Sequence, residues 1–260
     1  MFSTLFQDFE LKKFLILSSI CFFGAVVDAI SGGGGLITLP AYFSVGLPPH
    51  IALGTNKASS SLSTIMSTFK FWQAKKVNIA LVSKLVLFSF LGATLGVKTT
   101  VSISPQYFKP ISLFILILVF IYSLWNKKMG DENLFEGLNS KNILYGKIMA
   151  FTLGFYDGFL GPGTGSFLMF ALIKIFKFDF SNASGNTKVL NLSSNLASLI
   201  TFSYLGKVNW GYGLGIALVM SIGAIVGSKL AILKGNKFIR PMFLTVTIIL
   251  ILKMAKEIFF

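Results

Sequence analysis

The chain has very few residues that could form a catalytic or metal site. Its 260 residues include one cysteine and one histidine. A single cysteine excludes an intramolecular disulfide framework and a cysteine metal cluster. His50 follows Pro48-Pro49 in a turn-like sequence, where a surface or interfacial histidine is expected rather than a ligand. Because an enzyme needs a nucleophile with a base or a metal cluster, the composition predicts no enzyme and no cofactor.

Charged residues are scarce as well. They make up 12% of the chain, 54% of the residues are hydrophobic, and the mean hydropathy is +0.77. Soluble domains carry about 25% charged residues, so a soluble fold could not bury this much apolar surface. At about 20 residues per crossing, the length allows about seven to nine membrane segments and no separate catalytic domain. The predicted fold class is an all-α polytopic membrane protein.

The basic residues are dispersed along the chain. Lysine and arginine outnumber the acidic residues by 23 to 9, which gives a net charge of +14. They lie mostly at the edges of apolar runs, where they anchor a protein at the bilayer surface and set its orientation. We therefore expect a lipid bilayer as partner and no nucleic acid. Lys12-Lys13 and the apolar residues after them resemble a signal peptide without a cleavage motif, so we expect an uncleaved first segment.

The apolar runs divide the chain into two halves. The predicted domains are a first membrane repeat at 1–126, a hydrophilic linker at 127–142 and a second membrane repeat at 143–260. With an offset of 131 residues, Gly54 to Asn78 aligns with Gly185 to Asn209 without gaps and is identical at eight of 25 positions. This match predicts two homologous halves.

The relative orientation of the halves depends on one glycine-interrupted run in each half. If each interrupted run crosses the membrane once, each half has four crossings and the halves are parallel. If each run turns back or crosses twice, each half has an odd number of crossings and the halves form an inverted repeat, and a re-entrant hairpin leaves three full crossings in each half. The distribution of lysines over the two faces leans towards the inverted repeat.

The two interruptions are rich in glycine. Gly32 to Gly35 follows Asp28, and Gly161 to Gly165 (GPGTG) follows Asp157. Hydrocarbon cannot satisfy exposed backbone groups, so these breaks must lie inside protein or beside water. New helices are expected at 36–45 and 166–175, and the first N–H groups of a helix form a site for an anion. Close helix packing is the alternative role for glycine.

A polar helix with a lysine near its start follows each break. Lys188, Asn191 and Asn195 are three and four residues apart and share one helix face. A lysine at membrane depth indicates function, although it could instead snorkel to the surface, and asparagines could simply bond neighbouring helices. Asp28 and Asp157 either form structural ion pairs with the lysines or bind a coupling proton.

The breaks and the polar helices together define the predicted substrate site. Its backbone N–H groups would bind the anion, its lysines would supply charge and its asparagines would orient the ligand. The predicted substrate-binding residues are Gly33, Gly34, Gly35, Asn56, Lys57, Gly163, Thr164, Gly165, Lys188, Asn191 and Asn195.

These motifs resemble the TauE/SafE family of sulfite-exporter-like membrane permeases. The similarity covers nearly the whole chain in the expected order, through DAISGGGGLITLP (28–40), GLPP (46–49), LGTNK (53–57), GFYDGFLGPGTG (154–165), KVLNLSSN (188–195) and GKVNW (206–210). The resemblance implies a multi-pass transporter of the bacterial inner membrane. It also implies small sulfur-containing or carboxylate anions, such as sulfite or sulfoacetate, as substrates.

The sequence thus predicts a secondary transporter of small anions with its site between two broken helices. The alternative is an anion channel that uses the same groups without coupled transport. No nucleotide-binding motif is present, so an ion or substrate gradient must supply the energy. The expected partners are the anion, the bilayer and a coupling proton or cation, and a homo-oligomer is left open.

Overall fold

The computed structural model describes residues 11–102, 117 and 130–259. Within these ranges the chain is helical and contains no strand, which confirms the predicted all-α class. The predicted apolar run at 105–126 and linker residues 127–129 lie almost wholly outside the described residues. The helices are α1 (Leu11–Ser31), α2 (Gly35–Ser44), α3 (Pro49–Gln73), α4 (Ile79–Thr100), α5 (Ser140–Phe159), α6 (Thr164–Phe176), α7 (Phe180–Tyr204), α8 (Trp210–Lys234) and α9 (Asn236–Phe259).

Three of the described helices, α1, α4 and α8, are long and apolar enough to cross a bilayer. Helices α3 and α7 each have 25 residues, which at 1.5 Å per residue gives a length of about 37 Å. Many of their buried side chains are serine, threonine, asparagine and lysine. These two polar helices are long enough to cross a bilayer. Their polar faces are stable at that depth because protein, rather than lipid, surrounds them.

Both glycine-interrupted runs turn back on themselves. In the first run, Gly24 of α1 packs against Ile37 and Thr38 of α2. In the second run, the rings of Tyr156 in α5 and Phe167 in α6 lie 5.3 Å apart. Each pair of helices is therefore an antiparallel hairpin, which we call the first hairpin (α1–α2) and the second hairpin (α5–α6). The new helices begin at Gly35 and Thr164, within two residues of the predicted starts.

The tips of the two hairpins are in direct contact. Ser166 donates a hydrogen bond from its Oγ to the carbonyl oxygen of Ser31 at 2.8 Å. A Cβ atom on Gly165 would lie 2.5 Å from the Cα of Gly32, which is too close for two carbon atoms. Gly32 also has a φ of +77°, a conformation that favours glycine. The glycines thus allow the two tips to touch.

Helices α3 and α7 run antiparallel beside the hairpins. Gly54, near the start of α3, packs against the carbonyl oxygen of Lys207, which follows the end of α7. In the same way, Gly185, near the start of α7, packs against the carbonyl oxygen of Lys76, which follows the end of α3. A side chain at either glycine would overlap with these carbonyl groups. The two Lys-Val-Asn motifs therefore lie at opposite ends of the α3–α7 pair.

Each Lys-Val-Asn motif ends in a helix cap. The Oδ1 atom of Asn78 accepts from the N–H of Leu81 at 3.0 Å, and the Oδ1 atom of Asn209 accepts from the N–H of Tyr212 at 3.2 Å. Asparagine is a preferred residue at this position because it satisfies an N–H group of the first turn. The asparagines of the repeated motif thus start α4 and α8.

Apolar side chains pack around both hairpins in two buried clusters. Leu17 of α1 and Tyr42 of α2 belong to one buried cluster. Leu168 and Phe176 of α6 belong to another, which also includes Phe71 of α3. The hairpins are thus embedded in apolar packing, and their tips are the part that meets polar side chains.

Candidate functional site

A small cavity lies where the hairpin tips meet α3 and α7. Its volume is about 30 Å³, roughly enough for two water molecules. The predicted residues that line it are Asp28, Gly34, Gly35, Asn56, Lys57, Asp157, Thr164, Gly165, Asn191 and Asn195. Of the other predicted residues, Gly33, Gly163 and Lys188 are not part of this lining. Residues far apart in the sequence therefore converge on one cavity.

Lys57 is the lysine that lines the cavity. Its Nζ atom lies 2.8 Å from Oδ2 of Asp157, and both side chains are only 4% exposed. The same Nζ donates to Oδ1 of Asn195 at 3.0 Å. Because the ammonium group is buried among protein groups, Lys57 does not snorkel to the membrane surface.

Lys188 is also buried but lies behind the cavity wall. Its Nζ atom is 3.1 Å from Oδ2 of Asp28 and also donates to the carbonyl oxygen of Asp28. The other carboxylate oxygen of Asp28 accepts from the N–H of Gly34 at 3.2 Å. Lys188 is thus joined to the tip of the first hairpin, and its charge faces Asp28 rather than the cavity.

The two ion pairs connect the two halves of the chain. Asp28 of the first half pairs with Lys188 of the second half, and Lys57 of the first half pairs with Asp157 of the second half. The sequence suggested ion pairs between the aspartates and the lysines as one alternative, but it did not indicate which aspartate pairs with which lysine. In the predicted repeat, Asp28 corresponds to Asp157 and Lys57 corresponds to Lys188. This correspondence does not tell whether the ion pairs form within one half or between the halves.

Several of the predicted backbone donors are occupied within the protein. The N–H of Leu36 donates to the carbonyl oxygen of Gly33 at 3.3 Å, and the N–H of Thr164 donates to that of Gly161 at 3.2 Å. The hydroxyl of Thr164 donates to the same Gly161 oxygen at 2.7 Å.

Several other N–H groups at the helix starts make no backbone–backbone hydrogen bond in the described part of the chain. Those of Gly35 and Gly165 are among them, and both glycines line the cavity. The start of the second helix of each hairpin therefore lies at the cavity, where the helix dipole favours negative charge.

The chain is similar to known membrane proteins over nearly its whole length. The model of the family described as Sulfite exporter TauE/SafE matches residues 17–254. The chain belongs to the TauE/SafE family. No solved structure matches it.

Relatives of this TauE/SafE chain are named as transporters. A probable membrane transporter protein of Haemophilus influenzae is 35% identical over 251 residues, covering 96% of this chain and 98% of that protein. One from a Sinorhizobium species, called ORF9, is 34% identical over 249 residues, covering 96% and 94%. Probable membrane transporter protein YfcA of Escherichia coli K12 is 32% identical over 246 residues, covering 93% and 91%. This chain is thus a membrane transporter, which agrees with the prediction that it is no enzyme, and none of these names states a substrate.

The cavity of this TauE/SafE protein also includes polar residues that the sequence did not single out as ligands. The hydroxyl of Thr38 in α2 donates to Oδ1 of Asn56 at 2.8 Å, so it fixes the orientation of that amide. Ser60, Ser63 and Thr64 add hydroxyl groups from α3. The run of serines and threonines after Lys57 in the sequence was a usable signal for the last three, whereas Thr38 lies in an apolar segment and gave none.

Proposed function

We propose that this TauE/SafE protein is a secondary transporter of small anions in the bacterial inner membrane. The observation that carries the proposal is the buried ammonium group of Lys57 in a cavity between two broken helices. An ionised side chain in the membrane interior is costly and marks ion or substrate pathways, and transporters commonly bind substrates between broken helices. The family description favours sulfite or related sulfur-containing anions, such as sulfoacetate and other organosulfonates, as the substrates.

The donors around the cavity suit an oxyanion. We expect Lys57 to supply charge, the helix starts at Gly35 and Gly165 to supply N–H groups, and the amides of Asn56 and Asn191 to orient the anion, since all of them line the cavity. Asn195 holds Lys57 in place. A sulfite or sulfonate group has three oxygen atoms on one sulfur, so it can accept hydrogen bonds from several directions. Hydrogen bonds to a charged oxyanion are charge-assisted, and such bonds are roughly twice as strong as those between neutral groups.

The size of the cavity supports a transporter over a channel. A volume of about 30 Å³ holds roughly two water molecules, whereas sulfite alone has four non-hydrogen atoms. We infer that the groups around the cavity move apart to admit substrate. A structure that must open to bind its ligand fits alternating access, in which the site is exposed to one side at a time.

We also propose that the two halves form an inverted repeat. The antiparallel arrangement of α3 and α7 supports it, as do the reciprocal glycine contacts at their ends and the two crossed ion pairs. In an inverted repeat the first hairpin enters from one membrane face and the second hairpin from the other. If each half then adopted the conformation of the other half, the access path to the cavity would close on one membrane face and open on the other.

The anion site is tested by replacing Lys57. Purified protein in proteoliposomes is assayed for uptake of sulfite, sulfoacetate and isethionate. We expect Lys57→Met to lower uptake at least tenfold, because a hydrogen bond to a charged group contributes about 1.5–3 kcal/mol and each 1.4 kcal/mol is a factor of ten. Lys84→Met, which removes an exposed lysine of α4, should leave uptake unchanged.

Two further measurements complete this test. The double variant Lys57→Met with Asp157→Asn removes both members of the ion pair, so it separates loss of substrate binding from misfolding caused by an unpaired carboxylate. Accumulation above electrochemical equilibrium under an imposed ion gradient distinguishes a transporter from a channel. Full uptake by Lys57→Met would refute the site.

A further inference from the structure

The two ion pairs differ in how they are held. In the Asp28–Lys188 pair, both carboxylate oxygens of Asp28 accept hydrogen bonds, one from Lys188 and one from the N–H of Gly34. In the Asp157–Lys57 pair, Oδ2 of Asp157 lies 2.8 Å from the ammonium nitrogen, but no described group donates to this oxygen with hydrogen-bond geometry. The aligned bond of Lys57 goes to Asn195 instead. The second pair is thus held mainly by charge.

The two pairs also differ in their access to the cavity. Both Lys57 and Asp157 line it, whereas Lys188 does not. The charged side chains that face Asp157 are Lys57 from α3 and, across the cavity, Asp28 from α1, and Lys188 from α7 lies behind Asp28. No other charged side chain lines the cavity in the described part of the chain. The two lysines and two aspartates together have zero net charge.

We propose that the substrate anion replaces Asp157 as the partner of Lys57 and that the released Asp157 carboxylate takes up a proton from the aqueous phase. This inference rests on the proposed anion transport. The carboxylate becomes a neutral carboxylic acid, and the anion forms the new ion pair with Lys57. A singly charged anion and one proton therefore enter together, and the net charge of the site stays at zero.

The proton is needed because the cavity is buried. Without it, an added monovalent anion would leave one uncompensated negative charge in the membrane interior, which costs several kcal/mol. Asp28 cannot serve equally well, since both of its oxygens are occupied and its lysine does not reach the cavity. Asp28 and Lys188 act as a positioning pair that fixes the first hairpin tip, and Asp157 carries the proton.

The test compares Asp157→Asn with Asp28→Asn in proteoliposomes, with isethionate as probe. Isethionate is a sulfonate that keeps a single charge across the neutral pH range. One proton per anion allows an inward gradient of one pH unit to accumulate the probe up to about tenfold, because one unit corresponds to 1.36 kcal/mol. The unchanged protein should approach this ratio. Asp157→Asn should exchange labelled for unlabelled isethionate but not accumulate it.

Asp28→Asn is the matched control, since it removes the same charge from the other ion pair. It should lower the melting temperature, but its remaining transport should still respond to the pH gradient. Pronounced accumulation by Asp157→Asn under a pH gradient would overturn the inference and leave the proposed function intact. Accumulation by the unchanged protein under a sodium gradient at equal pH would overturn it as well. If the unchanged protein transports none of sulfite, sulfoacetate and isethionate, the proposed function itself is contradicted, and the inference with it.

A second measurement does not depend on the folding of a variant. Unchanged protein in detergent and weak buffer is mixed with isethionate while a pH indicator is read. We expect about one proton to be taken up for each anion bound. Binding without proton uptake would contradict the role of Asp157.

Discussion

Asn195 connects the lysine of the cavity to two helices. Its Oδ1 accepts from Lys57 at 3.0 Å, and its Nδ2 donates to Thr64 at 3.3 Å and to Asn191 at 3.4 Å. A buried ammonium group has three N–H donors that need acceptors, and Asp157 supplies charge without an aligned bond. Asn195 is therefore the residue that fixes the direction of the Lys57 side chain.

Replacing Asn195 should weaken both folding and binding. We expect Asn195→Ala to lower the free energy of unfolding by about 1–3 kcal/mol, because buried donors and acceptors lose their partners. The melting temperature of purified protein in detergent, with and without isethionate, measures both effects. Ser83→Ala, which removes an exposed hydroxyl, should change stability by less than about 0.5 kcal/mol. Equal melting temperatures for Asn195→Ala and the unchanged protein would contradict this role.

The sequence predicted which polar residues lie together at the cavity better than it predicted their contacts. The spacing of Lys188, Asn191 and Asn195 placed them on one helix face, and the two asparagines do line the cavity. Lys188 does not, because its long side chain reaches the first hairpin and ends at Asp28. Spacing along a helix constrains the direction of a side chain but not its partner on a distant segment.

At the scale of the elements, the hairpin tips depend on glycine at the point of contact. The glycine-rich breaks and the new helices after them followed from the sequence, because neither break can continue a helix in hydrocarbon. The contact of Gly32 with Gly165 did not follow from it. That contact joins two segments far apart in the chain. A glycine-rich sequence indicates that another segment can pack closely against it, but it does not identify that segment.

A methyl group at the tip should separate the hairpins. We expect Gly165→Ala to lower the free energy of unfolding by about 1–3 kcal/mol through overpacking and to reduce transport, because the new Cβ would lie 2.5 Å from the Cα of Gly32. Gly215→Ala is the matched control. Its Cβ would meet only the ring of Phe14 at 2.8 Å, which is a side chain that can rotate away.

Thermal unfolding and uptake of isethionate are measured for both glycine variants. Alanine in a helix is otherwise favoured over glycine by about 1 kcal/mol, so a loss in Gly165→Ala alone would reflect the contact between the tips. If the two variants are equally stable and equally active, the tips do not need this contact.

At the scale of the whole molecule, the orientation of the halves determines which loops share a membrane face. The loops at Lys76 and Lys207 occupy equivalent positions in the proposed repeat, and the structure places them at opposite ends of the α3–α7 pair. In the proposed inverted repeat more lysines lie on the face with Lys76, and we therefore predict that this face is cytoplasmic. The number of full crossings stays a prediction, since the run at 105–126 falls almost wholly outside the described residues.

Single cysteines in these loops test the inverted repeat. The one native cysteine, Cys21, is buried in an apolar cluster, so alanine is the replacement that removes the thiol without burying a hydroxyl group. We expect a membrane-impermeant maleimide to label Lys207→Cys but not Lys76→Cys in intact cells, and to label both after permeabilisation. Labelling of both loops from outside would show that the halves are parallel.

The crossed ion pairs have a consequence for biosynthesis. Asp28 and Lys188 are 160 residues apart in the chain, and ribosomes add roughly 5–20 residues per second. The carboxylate of Asp28 is therefore made about 8–30 s before its lysine exists. During that interval the first hairpin cannot complete its buried contacts, so it must stay near the lipid headgroups or inside the insertion machinery until the second half arrives.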